Sequence, residues 1–363
     1  MRFKFGEFNT TVLISREIPA IHRIAFDMGI KDSFKPLIIA DENTASIAEI
    51  ICGGGDYPCC ILKSGEEHKN WQSVETILSV AVKSGLGRDG VIIAVGGGVI
   101  GDLAGFAASI FMRGCRFAFV STTLLGMVDA SVGGKTGFDI FGYKNLAGSF
   151  YPAEIVYLPV NALSFLPEKE WKSGMAELIK TAILAGDDFL DDLIDSAANQ
   201  SKDLMSKNSS LTKFIERAVL YKGSVVSEDF REAEDGKRRL LNLGHTFAHA
   251  LESAAGFGCV SHGEAVAWGI VRACELGRAL GITPKARAVK IVSLIESFGY
   301  LSAAPHPLAH NTDALINAMK NDKKKSGGKL TFIVPNDIGA CSFLIESDAH
   351  LKLLKKILSG SVL

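Results

Sequence analysis

The chain has 363 residues, of which 47% are hydrophobic and 22% are charged, and its formal net charge is −1. That length predicts two domains, and the composition excludes a generally disordered protein. Because 39 basic side chains are balanced by 40 acidic ones, a nucleic acid is excluded as the main partner, and any positively charged site must be built locally.

The first half of the sequence alternates short apolar segments with helical patterns. Strands are predicted at Pro36–Glu42, Cys60–Lys63, Val91–Val95, Arg116–Leu125 and Glu154–Val160, and a helix at Trp71–Lys83. This alternation predicts a parallel α/β sheet. Ligands of such sheets gather at the carboxyl ends of the strands, where the polar residues of these segments lie.

Long helical patterns dominate the second half. They cover Glu168–Ala185, Leu211–Val226, Leu240–Ala255 and Glu264–Leu280. We therefore predict a Rossmann-like, parallel-sheet α/β domain at residues 1–167, followed by a mostly α-helical domain at residues 168–363. The cleft between two such domains is the expected place for an active site.

Two glycine-rich segments are candidates for phosphate binding. Gly96–Asp102 (GGGVIGD) directly follows the third predicted strand, and consecutive glycines let backbone N–H groups approach a pyrophosphate. A plain strand-to-helix turn is the alternative, because the spacing is not the dinucleotide fingerprint. Asp129–Gly137 (DASVGGKTG) lacks the Walker spacing. Its Lys135, followed by Lys144 and Asn145, can nevertheless meet a phosphate or a carboxylate.

Glu177 and Lys180 are three residues apart in GMAELIK and so share a helix face. A surface ion pair is the ordinary interpretation of such a pair. The flanking residues are mostly apolar, which favours a buried functional pair instead.

A polar stripe is predicted in RRLLNLGHTFAH. If residues 238–249 form one helix, Arg238, Asn242, His245 and His249 lie on one narrow face, with leucines around the rest of the circumference. A solvated helix face more often carries Lys and Glu. Arg, Asn and two His point instead to an anion and metal site, with structural hydrogen bonding as the alternative.

His262, in the segment SHGEAV, is either a residue near a helix cap or a third metal ligand with Glu177. Catalytic zinc sites commonly have three protein ligands and one open position. By spacing alone, His245 and His249 look like a zinc pair four residues apart. The residues themselves do not choose between that pair and His245 with His262.

The seven cysteines are odd in number and have no metal-knuckle spacing, which favours free thiols in a reducing compartment. The amino terminus has no apolar signal core, and no apolar run reaches about 18 residues. We therefore predict a cytoplasmic protein with no membrane partner.

Five segments together resemble the 3-dehydroquinate synthases, which belong to the sugar phosphate cyclases. GGGVIGDLAGFAAS, STTLLGMVDASVGGKTG, GMAELIK, LLNLGHTFAHALE and HGEAVAWG match the family pattern in order and spacing, within a stretch from Asp41 to about Lys329. The resemblance implies a lyase that converts 3-deoxy-D-arabino-heptulosonate 7-phosphate into 3-dehydroquinate and phosphate, on the shikimate route to aromatic compounds. It also implies bound NAD and a divalent metal, zinc or cobalt.

The chemistry implied by the resemblance begins with hydride removal from a ring hydroxyl by NAD. A metal bound to neighbouring hydroxyls lowers the pKa of the hydroxyl being oxidised. The new ketone acidifies the adjacent C–H, and phosphate is eliminated, with the substrate phosphate itself taking the proton. Hydride then returns, the ring opens, and an intramolecular aldol reaction closes the carbocycle, so that NAD is regenerated.

Roles for individual residues also follow from the resemblance. The metal ligands match Glu177, His245 and His262, and catalytic roles match Lys135, Lys180, Lys222, Arg238, Asn242 and His249. His249 in particular falls on a substrate-phosphate position. Further substrate contacts match Asn145 and one of Lys323 and Lys324. NAD contacts match Asp41, Asn43, Glu66, Lys69, Gly97, Gly98, Asp102, Thr122, Thr123, Asp129 and Lys144. Arg113 matches an arginine supplied across a homodimer interface.

The sequence departs from the family pattern in two places. Residues 228–238 form a stretch about two residues longer than usual, so either Glu232 or Glu234 takes the family's acidic position. Phe165 stands where many members have a threonine near the nicotinamide. Rival functions are another sugar phosphate cyclase, such as a 2-deoxy-scyllo-inosose synthase, a metal-dependent polyol dehydrogenase, and a non-catalytic NAD-binding regulator. The set suited to a carboxylate and a phosphate favours the dehydroquinate reaction: Lys222, Arg238, Asn242 and His249.

Overall fold

A computed structural model describes residues 1–30, 34–200, 208–233, 236–256, 258–323, 330–344 and 347–360. The chain forms two compact units. The first comprises Met1–Trp171 and Lys222–Arg231, and the second comprises Lys172–Tyr221 and Glu232–Leu363.

The first unit contains a seven-stranded sheet. Its strands and helices are β1 (Arg2–Phe5), β2 (Phe8–Ser15), α1 (Ile21–Asp27), β3 (Pro36–Asp41), α2 (Ala45–Cys52), β4 (Cys59–Leu62), α3 (Trp71–Lys83), β5 (Val91–Gly96), α4 (Gly98–Ile110), β6 (Arg116–Ser121), β7 (Lys135–Ile140), β8 (Tyr143–Phe150) and β9 (Ile155–Pro159). The order across the sheet is β1-β2-β9-β6-β5-β3-β4. β1 pairs with β2 in antiparallel orientation, and the other neighbours are parallel.

The core of this unit explains why the central strands read as unbroken apolar segments. β5 is buried along its whole length. Ile38, Ile93 and Val120 from three neighbouring strands pack in one cluster with Ile24 of α1 and Ile51 of α2. Strands covered on both faces have no solvent-facing positions and therefore carry continuous apolar residues.

Strand order reverses between β3 and β5, since β4 lies on one side of β3 and β5 on the other. Ligands of open parallel sheets bind at such a reversal, beyond the carboxyl ends of the strands. Asp41 ends β3 and Gly96 ends β5, so the first predicted glycine segment lies at this point.

The antiparallel hairpins of the first unit were not predicted. β7 and β8 form a separate two-stranded sheet, but the residues of β8 are exposed or half-buried and lack the apolar alternation that marks a strand. Gly137 pairs with Gly148, and a Cβ at Gly137 would lie 2.5 Å from the carbonyl oxygen of Ala147. The close approach of these two backbones accounts for both glycines.

The second unit is mostly helical. Its elements are α5 (Glu168–Ala185), α6 (Asp187–Gln200), α7 (Asn208–Glu228), α8 (His245–Ala255), α9 (His262–Ala279), α10 (Lys285–Ser297), α11 (Thr312–Lys323), β10 (Thr331–Pro335), β11 (Ala340–Leu344) and α12 (Asp348–Leu358). The first residues of α5 and the last residues of α7 belong to the first unit.

Helix α9 is the centre of the second unit. It begins with a capping box, in which Ser261 and Glu264 satisfy each other's backbone N–H groups. Its residues from 263 to 277 are buried, apart from Glu264. Phe247 of α8 lies edge-on to Trp268 of α9 and tilted against Phe332 of β10, with ring centroids 6.3 and 4.9 Å apart.

One predicted helix is wrong in this region. The pattern of Leu240–Ala255 predicted a single helix, but residues 237–242 form a 3₁₀ turn and α8 begins at His245. Gly244 has φ 78°, which an α-helix does not accommodate. Similarly, the strand predicted to end at Leu125 ends at Ser121, and a π-helical turn occupies Gly126–Ala130.

All seven cysteines lie among the described residues as free thiols. Burial raises the pKa of Cys60 to about 11 and that of Cys115 to about 12, so neither is a ready nucleophile. Among the described helices, none has the length and apolar character needed to cross a membrane.

Candidate functional site

Glu177, His245 and His262 form a compact cluster in the second unit. Glu177 lies on α5, and the two histidines are the first residues of α8 and α9. Each offers a ligand atom within 4.8 Å of the others. The Nε2 atoms of His262 and His245 lie 3.1 and 3.5 Å from the same atom, Glu177 Oε1. One carboxylate and two imidazoles are the donor set of a catalytic zinc site, so these residues fit a metal ion.

Glycines allow the three helices to approach closely enough for this convergence. A Cβ at Gly269 of α9 would lie 2.2 Å from the carbonyl oxygen of Gly244, just before α8. A Cβ at Gly263 would lie 2.5 Å from the Cα of Ser173 on α5. Backbone therefore meets backbone at both crossings, and α9 is held against the start of α8 and against α5 close to Glu177.

Electrostatics favour an ionised Glu177. Burial alone would raise the pKa of its carboxyl, but the ammonium of Lys180 and the ring of His262 hold the pKa well below its usual range. Burial and the nearby Lys180 lower the pKa of His245 to about 3, so its imidazole is neutral. Glu177 thus presents an anionic oxygen and His245 a neutral ring nitrogen, which are the forms that bind metals. Burial would lower the pKa of His262, but the carboxylates of Glu177 and Glu252 raise it to about 10, so a metal ion would have to displace a proton from this ring.

Lys180 lies one helical turn from Glu177 and forms an ion pair with it. Lys180 is 2% exposed and Glu177 is 1% exposed. The interpretation as a buried pair is confirmed, and the surface ion pair is excluded.

The predicted polar stripe is broken at Gly244. His245 and His249 share α8, with ring centroids 5.3 Å apart in an edge-on arrangement. Arg238 and Asn242 lie in the preceding 3₁₀ turn rather than on the same helix. Arg238 is buried, and the Asn242 side chain donates a hydrogen bond to Glu232 at 3.0 Å.

A second group of predicted residues lies at the carboxyl edge of the sheet in the first unit. The carboxylate of Asp41 accepts hydrogen bonds from the backbone N–H groups of Asn43 and Thr44. Gly97 precedes α4, and a Cβ there would lie 2.9 Å from the Thr123 side chain. The hydroxyl of Thr122 is buried and has no hydrogen-bond partner within the described part of the chain.

This edge fits a dinucleotide. Consecutive glycines at the start of α4 let backbone N–H groups approach a pyrophosphate. A buried hydroxyl without a partner is costly unless a ligand or water satisfies it, and Thr122 offers such a hydroxyl.

Lys69 connects residues predicted for NAD and for substrate. Its ammonium donates to Asp102 at 2.5 Å and to Asn145 at 2.6 Å. Asn145, at φ 52°, is held by a hydrogen bond from its backbone N–H to Asp139 at 2.7 Å. The Lys144 Nζ atom lies 3.9 Å from Glu66 Oε1.

Lys222 of α7, in its first-unit portion, meets Asp129 of the π-helical turn. The ammonium lies 2.7 Å from Asp129 Oδ1 and donates to the Asp129 carbonyl at 2.8 Å. A predicted substrate lysine and a predicted NAD residue are therefore in direct contact. π-Helical turns are frequent at functional sites.

The remaining predicted residues have less defined surroundings. Gly98 is the first residue of α4, and Lys135 is exposed at the start of β7. Arg113 is exposed with φ 66°, and Phe165 is 64% exposed. Lys324 and Glu234 lie outside the described residues, as does the side chain of Lys323 at the end of α11.

Sequence reasoning missed Glu252 and Asp139. A Glu252 carboxylate oxygen lies 3.5 Å from His262 Nδ1, and Asp139 holds Asn145. Glu252 follows His245 by seven residues, which places both on one face of α8. That spacing was visible, but nothing in the sequence indicates that a histidine of another helix lies beside it.

Comparisons with known proteins match most of the chain to one family. Residues 59–173 match the family model described as 3-dehydroquinate synthase N-terminal, and residues 174–325 match its C-terminal counterpart. The chain is 43% identical over 282 residues to a 3-dehydroquinate synthase of Rhodopirellula baltica, covering 77% of this chain and 72% of that protein. It is 40% identical over 284 residues to one of Acidithiobacillus ferrooxidans, covering 77% and 75%.

A solved structure is also similar over the whole chain. It is a 2-deoxy-scyllo-inosose synthase complexed with carbaglucose-6-phosphate, NAD⁺ and Co²⁺. The TM-score is 0.83 at 26% sequence identity, with 99% of each chain covered. The predicted fold class, a parallel-sheet α/β domain with a mostly helical portion, is confirmed.

Proposed function

The chain belongs to the 3-dehydroquinate synthase family, and on that premise we propose that it converts 3-deoxy-D-arabino-heptulosonate 7-phosphate into 3-dehydroquinate and phosphate. It is thus a carbon–oxygen lyase acting on a phosphorylated sugar acid. The observation that carries the proposal is the convergence of Glu177, His245 and His262. The relatives at about 40% identity favour this reaction over that of another cyclase or of a polyol dehydrogenase.

The metal is zinc or cobalt, held by Glu177, His245 and His262. Support comes from the donor set and from the Co²⁺ in the similar inosose synthase. When bound, such a metal lowers the pKa of substrate hydroxyls. Lys180 keeps the pKa of Glu177 low, so the carboxylate stays ionised and available as a ligand.

Residues at the carboxyl edge of the sheet in the first unit, within the proposed domain 1–167, would hold NAD, which when bound would supply reversible hydride transfer. The NAD⁺ in the similar structure supports this cofactor. Gly97 and Gly98 let backbone N–H groups approach the pyrophosphate, and Thr122 supplies an unused hydroxyl. The proposed domain 168–363 carries the metal ligands and most of the substrate residues, and the proposed domain 1–167 carries Lys135 and Asn145.

The substrate is held by charge-assisted hydrogen bonds. Lys135, Lys222 and Arg238 orient one carboxylate and one phosphate, and His249 meets the phosphate. Arg238 is buried, where an unscreened guanidinium binds an anion more strongly than at the surface. Lys222 is held by Asp129, so its ammonium is already positioned when substrate arrives.

A homodimer is part of the same proposal, with Arg113 of each protomer completing the site of its neighbour. Arg113 is exposed beside the exposed Met112, which suits a contact with a second copy. The cytoplasmic location stays a prediction from the sequence.

The decisive assay supplies the heptulosonate phosphate with catalytic amounts of NAD and zinc. Phosphate release with stoichiometric dehydroquinate, and no net NADH, is the expected result. NADH accumulation without phosphate release would replace the proposal with a dehydrogenase. Release of phosphate from glucose 6-phosphate, which has no carboxylate, would replace it with an inosose synthase.

A further inference from the structure

We propose that Glu252 is a positioning residue that orients His262 for metal binding, an inference that rests on the proposed metal site. Glu252 Oε1 lies 3.5 Å from His262 Nδ1, and His262 Nε2 lies 3.1 Å from Glu177 Oε1. The imidazole is thus held between two carboxylates, one on each ring nitrogen. Because a carboxylate oxygen only accepts, Nδ1 keeps its proton toward Glu252, and a metal bound by Glu177 takes the place of the proton on Nε2.

His245 is oriented in the same way by a different group. Its Nδ1 lies 3.1 Å from the backbone carbonyl of Leu243, and its Nε2 also faces Glu177 Oε1. Both histidines therefore use Nδ1 for an outer contact and Nε2 for the cluster. The acceptor for His245 is part of the main chain, whereas the acceptor for His262 is a side chain that substitution can remove.

The position of Glu252 suits this role. It lies on α8 two turns after His245, so one helix supplies a ligand directly and orients the ligand at the start of α9. Its side chain is 14% exposed. Shielding from solvent makes its contact with an imidazole stronger than an exposed ion pair would be.

Two consequences follow for a bound metal. A carboxylate on Nδ1 fixes the tautomer and ring orientation of a histidine ligand and raises its basicity. Removing such a partner typically weakens metal binding by about 10–100-fold. Glu252 also adds a negative charge close to the cluster, beyond that of Glu177.

A purely structural role, in which Glu252 only ties α8 to α9, predicts something different. The folded state would lose stability when Glu252 is replaced, but the metal affinity of the folded protein would not change. Metal affinity and the unfolding temperature of the metal-free protein therefore separate the two roles.

The test uses the full chain stripped of metal and titrated with Co²⁺, followed by its visible absorption, and with Zn²⁺ against a competing chelator. In Glu252→Ala we expect a Kd for either metal raised 10–100-fold and a changed Co²⁺ spectrum. Glu252→Gln keeps the shape and an acceptor oxygen but loses the charge, so a smaller increase is expected. Should the alanine variant fail to fold, the glutamine variant carries the test.

The matched control is Glu296→Ala. That carboxylate is exposed on α10 and accepts a hydrogen bond from the Ser302 hydroxyl at 2.6 Å, and its loss should leave metal affinity unchanged. Glu252 variants that bind metal as tightly as the parent would overturn the inference while the metal site stands. A parent protein that binds no metal would overturn the proposed site and this inference with it.

Discussion

The metal cluster and the nucleotide edge of the sheet are built in opposite ways. At the sheet edge, Asp41, Gly97 and Thr122 follow the ends of neighbouring parallel strands, and strand regularity brings them to one place. In the cluster, Glu177 and His262 are 85 residues apart and meet because glycines let helices touch. A site at a sheet edge should therefore tolerate small local changes better than one at a helix crossing.

The largest expected effect is at the helix crossing. Gly269→Ala places a Cβ 2.2 Å from the Gly244 carbonyl, which is backbone and cannot swing aside. We expect destabilisation of roughly 3 kcal/mol or more and loss of bound metal, measured by thermal unfolding and zinc content. Gly281→Ala is the control: its Cβ meets open space at φ 72°, so stability should fall modestly and metal should be retained. If Gly269→Ala keeps its full metal content, the close approach of α9 to the start of α8 is not needed for the metal site.

The two histidines of α8 provide the next test. His245→Ala should lose the metal, by more than the roughly 100-fold that removal of an orienting partner causes. His249→Ala should keep the metal, because His249 lies outside the three-residue cluster found among the described residues. Metal content after dialysis measures both. Equal losses in the two variants would overturn the ligand assignment.

At the sheet edge, Gly97→Ala should fold and keep its metal. The added Cβ would lie 2.9 Å from the Thr123 side chain, which is able to move, and φ −86° suits any residue. Because Thr123 is itself a predicted NAD contact and would have to shift, we expect NAD affinity to fall by about tenfold, equivalent to about 1.4 kcal/mol. Isothermal titration with NAD checks this, and unchanged affinity would move the cofactor away from Gly97.

The smallest expected effect is that of Thr122→Val. The hydroxyl has no partner among the described residues, so its removal should not destabilise the protein without cofactor. NAD affinity should fall only a few-fold, because the complex with NAD loses one neutral hydrogen bond. Thr10→Val is the matched control, because that buried hydroxyl donates to Ala153 at 2.7 Å, and its loss should cost about 1 kcal/mol. If Thr122→Val lost more stability than Thr10→Val, the Thr122 hydroxyl would have a hydrogen-bond partner within the protein.

Secondary structure was predictable where one local pattern decided it. The predicted helices Trp71–Lys83 and Glu168–Ala185 have the same bounds in the structure, and β3 and β9 lie within the predicted strands. The hairpins β1–β2, β7–β8 and β10–β11 were not predicted. Antiparallel strands with one exposed face carry a weaker apolar signal than buried parallel strands do.

Composition, the order of apolar segments and the five motifs determined the balance of charge, the α/β then helical organisation, the family and its cofactors. These properties depend on residue type and on spacing within single elements, which a sequence displays directly. Near neutrality excluded a polyanionic partner, but it did not reveal that Lys180 and Arg238 are buried cations.

The resemblance to the family implied His262 as the partner of His245, but only the tertiary structure decided which groups surround the two rings. Spacing offered His249 and His262 equally, and the helix that the first choice needs does form, because His245 and His249 share α8. His262 joins Glu177, with Glu252 behind it, because α9 crosses α5 and α8 at glycines. Contacts between helices distant in sequence arise from packing, and no local pattern records which faces will meet.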